Sequence, residues 1–203
     1  MLAAPTLEER VLSNWTSYYA ATAGGAPRDT LLRGLSLWEE TPARALDLGC
    51  GTGRDTLVLL ERGWQVLAVD AEAAALAELR QRVPNVLSDR LDTRQARFET
   101  LELERYALVN SSFALPFCEP ACFTELWARI TSATRSGGLF CGQLFGERDS
   151  WARKGVTVVS EVGLQRLLEA WDVLHHREEE EDGHTPVGRP KHWHIHHLVL
   201  RRR

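Results

Sequence analysis

The chain has 203 residues, 44% hydrophobic and 26% charged, with a formal net charge of −4. That suits one domain with one sizeable core, offers no global field for nucleic acid or an anionic membrane, and contains no apolar run long enough to span a bilayer. The cysteines Cys50, Cys118, Cys122 and Cys141 form no CxxC pair or zinc-finger spacing, and no signal peptide is evident, so a reduced, cytoplasmic protein is expected.

Residues 6–20 put Leu7, Val11, Leu12, Trp15 and Tyr19 on one helical stripe, which Ala23-Gly24-Gly25-Ala26-Pro27 breaks. A second helix is expected over Arg28–Glu39. Both precede the first strand, so they can fold over an edge or end of a sheet. Strand and helix then alternate: strand Ala43–Leu48, helix Arg54–Arg62, strand Trp64–Val69, helix Glu72–Val83. After an irregular stretch, short strands are expected at Ala96–Glu99 and Tyr106–Asn110. A helix over Glu119–Thr134 is expected to end at Gly137-Gly138. Strand Leu139–Leu144 and a helix from Glu161 to Ala170, capped by Ser160, follow. Strands near 172–179 and 192–200 are separated only by a turn, so they should pair antiparallel, whereas the earlier alternation implies a parallel sheet covered on both faces.

The run ALDLGCGTGRDT, residues 45–56, places Gly49-x-Gly51-x-Gly53 at the carboxyl end of the first strand, where open α/β sheets bind ligands. Glycine there permits a tight turn and close approach of a ligand to the backbone. The spacing is GxGxG, not the GxGxxG of dinucleotide folds, and no lysine completes a phosphate-binding Walker loop. Asp70 closes the second strand, where a carboxylate can accept bonds from two ribose hydroxyls.

Leu46-Asp47-Leu48-Gly49-Cys50-Gly51-Thr52-Gly53, with Val69-Asp70 downstream, resembles the class I S-adenosylmethionine-dependent methyltransferases. Segments 110–117 (NSSFALPF) and 137–146 (GGLFCGQLFG) look like the fourth- and fifth-strand regions of the tellurite- and thiopurine-methyltransferase-like branch. The resemblance implies an α/β, Rossmann-like fold: a seven-stranded, mostly parallel sheet with a C-terminal antiparallel hairpin and helices on both faces. It implies one methyltransferase domain over 1–203, with 1–40 a helical cover on a core of 41–203. It also implies S-adenosyl-L-methionine as cofactor and S-adenosyl-L-homocysteine as product.

On that resemblance the cofactor residues are Asp47, Gly49, Cys50, Gly51, Gly53, Arg54, Asp70, Ala71, Phe98, Glu99, Asn110 and Ser111. Asp47 would brace the loop through backbone N–H groups or hold the amino group, Asp70 would bind the ribose diol, Phe98 and Glu99 would flank the adenine, and Asn110 to Ser112 would lie near the sulfonium. Many relatives carry an acid in the fourth strand, where this chain reads Tyr106-Ala107-Leu108-Val109.

Acceptor-pocket candidates are Trp15, Tyr19, Arg28, Ser112 and Phe113, with Tyr18 a further cover candidate. The wall 111–117 is apolar apart from its serines, which favours a small, partly apolar acceptor, and Leu115 and Phe117 read as core. No dedicated general base stands out, so catalysis by positioning is expected. An NAD-dependent oxidoreductase and a non-catalytic cofactor-binding regulatory module are the alternatives. Nucleic-acid methylation is not expected, since there is no basic stripe. A monomer or homodimer is expected.

His192, His194 and His196 alternate along the last strand and share a face opposite Glu178–Asp182. Cross-strand Glu–His pairs account for them without a metal, and no ligand spacing here is specific, so no metal site is expected.

Overall fold

The computed structural model describes residues 15–203. The expected helical positions Leu7, Val11 and Leu12 lie outside the described residues. In chain order the elements are α1 (Trp15–Thr22), α2 (Asp29–Ser36), β1 (Arg44–Leu48), α3 (Arg54–Glu61), β2 (Gln65–Asp70), α4 (Ala73–Arg82), β3 (Leu91–Gln95), β4 (Tyr106–Ser111), α5 (Pro120–Ala133), β5 (Thr134–Phe145), α6 (Glu161–Leu168), β6 (Trp171–His184) and β7 (Pro190–Arg202).

The strands form one seven-stranded sheet in the order β3-β2-β1-β4-β5-β7-β6. All pairs from β3 through β5 are parallel, and β7 runs antiparallel to both β5 and β6. This is the Rossmann-like sheet with a closing hairpin. Strand order reverses between β1 and β4, and ligands enter open sheets at such a switch point.

Period-two alternation splits the core between the two faces. Leu46, Leu48, Val69, Val109 and Phe140 pack with Leu126, Trp127 and Ile130 of α5 on one face. Ala45, Val66, Ala68, Leu108 and Cys141 pack with Leu31, Leu59, Leu76 and Leu79 on the other. Each fully buried leucine contributes about 1.5–3 kcal/mol over an exposed one. On the second face α2 lies directly on β5: a Cβ at Gly34 would stand 2.2 Å from Cys141 Sγ.

Three expected boundaries move. The third strand is Leu91–Gln95, not 96–99, because pairing from Val66↔Leu91 to Asp70↔Gln95 recruits a polar edge segment with little strand pattern of its own. Residues 98–100 instead form a 3-10 turn. Helix α5 stops at Ala133, with the Thr134 hydroxyl donating to Ile130 O at 2.8 Å, and β5 starts at once. Gly137, at φ 74°, therefore lies inside the strand, where the register shifts between Tyr106 and Leu108, and does not cap the helix. The hairpin is longer than expected, with its turn confined to 185–189: Thr185 N donates to Arg189 O and Gly188 N to Thr185 O, both at 2.8 Å. Ser160 does cap α6, accepting from Gly163 N at 3.1 Å.

Candidate active site

The three glycines of the β1–α3 turn all have positive φ, 69° at Gly49, 53° at Gly51 and 89° at Gly53, so side chains there are strained. Their surroundings differ. A Cβ on Gly49 would meet Ala114 Cβ at 2.2 Å, and one on Gly53 would meet Leu79 Cδ1 at 2.2 Å. Those two glycines let the turn pack against protein. Gly51 instead faces the Tyr19 ring, 3.1 Å from its would-be Cβ, across a cavity that both residues line.

Most of the turn's backbone donors are taken. Gly49 N and Cys50 N both donate to Val69 O, at 2.8 and 3.0 Å, and Gly53 N donates to Cys50 O at 3.0 Å. Gly51 N donates to Asp70 Oδ2 at 2.8 Å. Asp70 therefore braces the loop, one of the two roles expected of Asp47, the other being to hold the amino group. Its Oδ1 accepts from Glu72 N at 2.9 Å and from the Tyr19 hydroxyl at 3.0 Å. Burial pushes this carboxyl above its usual range, and the bonds from Glu72, Gly51 and Tyr19 pull it back.

Asp47 sits one strand over, fully buried. Its Oδ2 accepts from the Thr56 hydroxyl at 2.6 Å and its Oδ1 from Asn110 Nδ2 at 2.9 Å. Asn110 Nδ2 also donates to Asp55 Oδ2 at 3.1 Å, and Ser112 Oγ donates to the same oxygen at 2.6 Å. Two buried carboxylates thus share one amide. Burial, reinforced by the Asp55 charge, pushes the Asp47 carboxyl up to about 7. Asn110 Oδ1 is buried without a hydrogen-bond partner.

Two cavities flank this machinery. The polar one is lined by Asp47, Cys50, Gly51, Arg54, Asp55 and Arg28. The more apolar one is lined by Asp70, Ala71, Phe98 and Glu99 on one side and Trp15, Phe113 and Phe117 on the other. Tyr18, Tyr19, Gly49 and Ser112 line both. Most expected site residues therefore converge. Phe98 and Glu99 line the apolar cavity from the 3-10 turn that follows β3, not from a strand.

Three expected cofactor residues line neither cavity. Gly53 is the left-handed residue before α3. Asn110, fully buried, ties Asp47 to Asp55. Ser111, also fully buried, donates to Leu48 O at 3.0 Å and joins β4 to β1. Phe117, expected in the core, stands in the cavity wall with its ring 5.0 Å from that of Trp15. Leu115 is core as expected, fully buried.

Sequence reading missed Asp55. The available signal for Asp55 was an acid in the first turn of a helix, which the helix dipole explains without a ligand.

Phe113 is the one non-glycine with positive φ, 57°, among the described residues. Its N–H donates to Gln143 Oε1 at 3.1 Å, and Gln143 Nε2 donates to Thr30 Oγ1 at 2.9 Å. A buried glutamine from β5 thus holds strained backbone at the cavity rim. The Arg28 guanidinium lies 4.5 Å from the centre of the Phe113 ring. Burial, then Arg54, lowers its pKa.

On the β6–β7 hairpin His192, His194 and His196 do share a face. His192 pairs with Asp182 and Glu180, at 2.8 and 3.2 Å, and His194 Nε2 lies 2.7 Å from Glu178 Oε1. One atom each of Glu178, His194 and His196 falls within a 4.8 Å cluster. His194 Nδ1 accepts the Arg148 N–H at 3.2 Å, and its Nε2 lies between Glu178 and the Arg148 guanidinium, the latter at 3.1 Å. The Arg148 guanidinium bonds Glu178 and Glu180 at 2.8–3.0 Å. These contacts have the form of cross-strand ion pairs.

The seven-stranded Rossmann-like sheet, the bare glycine turn on β1 and the acid closing β2 are similar to those of the class I S-adenosylmethionine-dependent methyltransferases. Residues 45–138 match the model described as a methyltransferase domain. The chain is 30% identical over 131 residues to trans-aconitate 2-methyltransferase of Deinococcus radiodurans, covering 60% of this chain and 45% of that one. It spans less than half the length of the curated relatives it matches, 32% and 45%.

Among solved structures, TehB from Haemophilus influenzae has the same fold, with TM-score 0.75, 17% identity, and coverage of 92% of this chain and 66% of that one. The 1,6-didemethyltoxoflavin-N1-methyltransferase of Burkholderia thailandensis, solved with 1,6-didemethyltoxoflavin and S-adenosylhomocysteine, aligns at TM-score 0.66 and 24% identity over 100% of this chain and 92% of that one. No helix among the described residues is long and apolar enough to cross a membrane.

Proposed function

We propose that the protein transfers a methyl group from S-adenosylmethionine to a small, partly apolar acceptor. The observation that carries this reading is the buried Asp47–Asp55 pair beside the glycine turn. Two carboxylates bridged by one amide gather negative charge on the wall of the polar cavity, and the cofactor has an ammonium group that would meet it. A nicotinamide dinucleotide would instead bring its pyrophosphate against those same carboxylates, onto a turn in which Gly49, Cys50, Gly51 and Gly53 already donate within the protein.

The chain's residues divide the cofactor between the two cavities. Asp70 would accept the ribose hydroxyls, with Ala71, Phe98 and Glu99 around the adenine. Asp47 and Asp55 would hold the ammonium group, and the guanidinium groups of Arg28 and Arg54 would face the carboxylate. The cofactor supplies an electrophilic methyl carbon. Trp15, Phe113 and Phe117 would wall off the acceptor from water and hold its nucleophile in line. No histidine lines either cavity, which favours an acceptor that needs little help losing a proton. The relatives' own substrates, trans-aconitate and 1,6-didemethyltoxoflavin, are small molecules.

The test is a screen of thiols, carboxylates and heteroaromatic amines with methyl-labelled S-adenosylmethionine, scored by label transfer and S-adenosylhomocysteine release. Acceptor-dependent transfer, lost in Asp70→Ala, supports the reading. Tight cofactor binding with no transfer to any acceptor would favour a regulatory module.

A further inference from the structure

Tyr19 stands among the residues that the two cavities share. Its hydroxyl fills Asp70 Oδ1 at 3.0 Å while backbone N–H groups hold the rest of that carboxylate. Its ring lies against Gly51, with Cε1 3.1 Å and Cδ1 3.3 Å from the Cβ position that glycine leaves bare. Tyr19 lines the polar and the apolar cavity alike, as do Tyr18 and Gly49. An elongated ligand with one end in each cavity would have to pass the residues the two cavities share, and this ring stands among them against the glycine turn.

We infer that Tyr19 is a gate: its phenol stands in for a ribose hydroxyl on Asp70, and the cofactor binds only after the ring swings off the glycine turn. This inference rests on the function proposed above. The closed arrangement has identifiable anchors. Trp15 stacks on Tyr19 at 5.6 Å and 23°, and also meets Phe117 edge-on. Arg54 Nη2 donates to Thr22 O at 2.8 Å, holding the end of α1 to the start of α3. Opening exchanges one hydrogen bond on Asp70 for another, and the cost falls on the apparent affinity, which scales with the fraction of open molecules.

The experiment is calorimetric titration of S-adenosylmethionine into wild type, Tyr19→Phe and Asp70→Ala, with Trp15 fluorescence followed in parallel. Removing the phenol hydroxyl weakens the closed state alone, so Tyr19→Phe should bind the cofactor about threefold to tenfold more tightly than wild type. Cofactor addition should also change the fluorescence of wild type, and Trp15→Phe should abolish that change. Equal or weaker binding by Tyr19→Phe, with wild type binding and Asp70→Ala not, would overturn the gate and leave the proposed function standing. Failure of wild type and Tyr19→Phe alike to bind would overturn both.

Discussion

The backbone N–H of Gly51 donates to Asp70 Oδ2 at 2.8 Å, joining the turn after β1 to the last residue of β2. One carboxylate therefore shapes the glycine turn with one oxygen, while the other accepts from Glu72 N and the Tyr19 hydroxyl at the edge of the cavity. Asp70→Asn keeps the size of the side chain but offers one acceptor oxygen where there were two. It should lower cofactor affinity by about tenfold or more, the equivalent of one hydrogen bond to a charged group, with little loss of fold. Calorimetry and a thermal melt of the same sample separate the two effects.

The glycines of the turn make opposite predictions. Gly53→Ala drives a methyl into Leu79 at 2.2 Å and also strains a left-handed residue, so it should destabilise the protein by about 2–4 kcal/mol in chemical denaturation. Gly51→Ala meets only the Tyr19 ring, which can yield. It should cost about 1–2 kcal/mol in stability, yet it should impair cofactor binding, because the methyl stands on the surface the ligand must cross.

If Asp47 holds the cofactor's ammonium group as proposed, cofactor binding should depend on pH. Its carboxyl is raised to about 7 in the free protein, chiefly by burial and then by Asp55. Below that value the group is protonated, and a bound ammonium requires the charged form, so binding releases a proton. Affinity should rise by up to about tenfold per pH unit as pH increases toward 7, then level off above it. The same shift means that the free protein loses stability from this group as pH rises from the unfolded carboxylate value through about 7. Titrations in buffers of different ionisation enthalpy would count the proton, and Asp47→Asn should flatten the profile.

Lys191 and Asp149 form a fully buried ion pair, with the ammonium 4.1 Å from the Trp151 ring centre and 4.3 Å from that of Trp193. Asp149 also accepts from Trp151 N at 2.9 Å and from His194 N at 3.3 Å. Asp149→Ala leaves a buried cation and two N–H donors without their acceptor, and should cost about 3–5 kcal/mol. Lys191→Met leaves a carboxylate that still accepts both N–H groups, so the loss in denaturant melts should be smaller.

Elements with strong local signals were legible in the sequence. The buried runs 45–48 and 66–69, the GCGTG turn and Asp70 point to the same fold and the same end of the sheet. Leu91–Gln95 was not legible, because an edge strand paired on one side needs no apolar alternation, and β2 imposes its conformation. Asp55 was hidden for a related reason: its partners Asn110 and Ser112 lie 55 and 57 residues away, so only the folded chain brings them together. The Tyr19–Asp70 bond spans 51 residues, and no local pattern encodes it.

Isothermal titration of S-adenosylmethionine into wild type and Asp70→Ala, with NAD as a control ligand, tests the central claim most directly. The account predicts saturable binding of about micromolar strength by wild type, lost in Asp70→Ala, and no heat from NAD. A folded wild type that ignores S-adenosylmethionine, or that binds NAD instead, would contradict it.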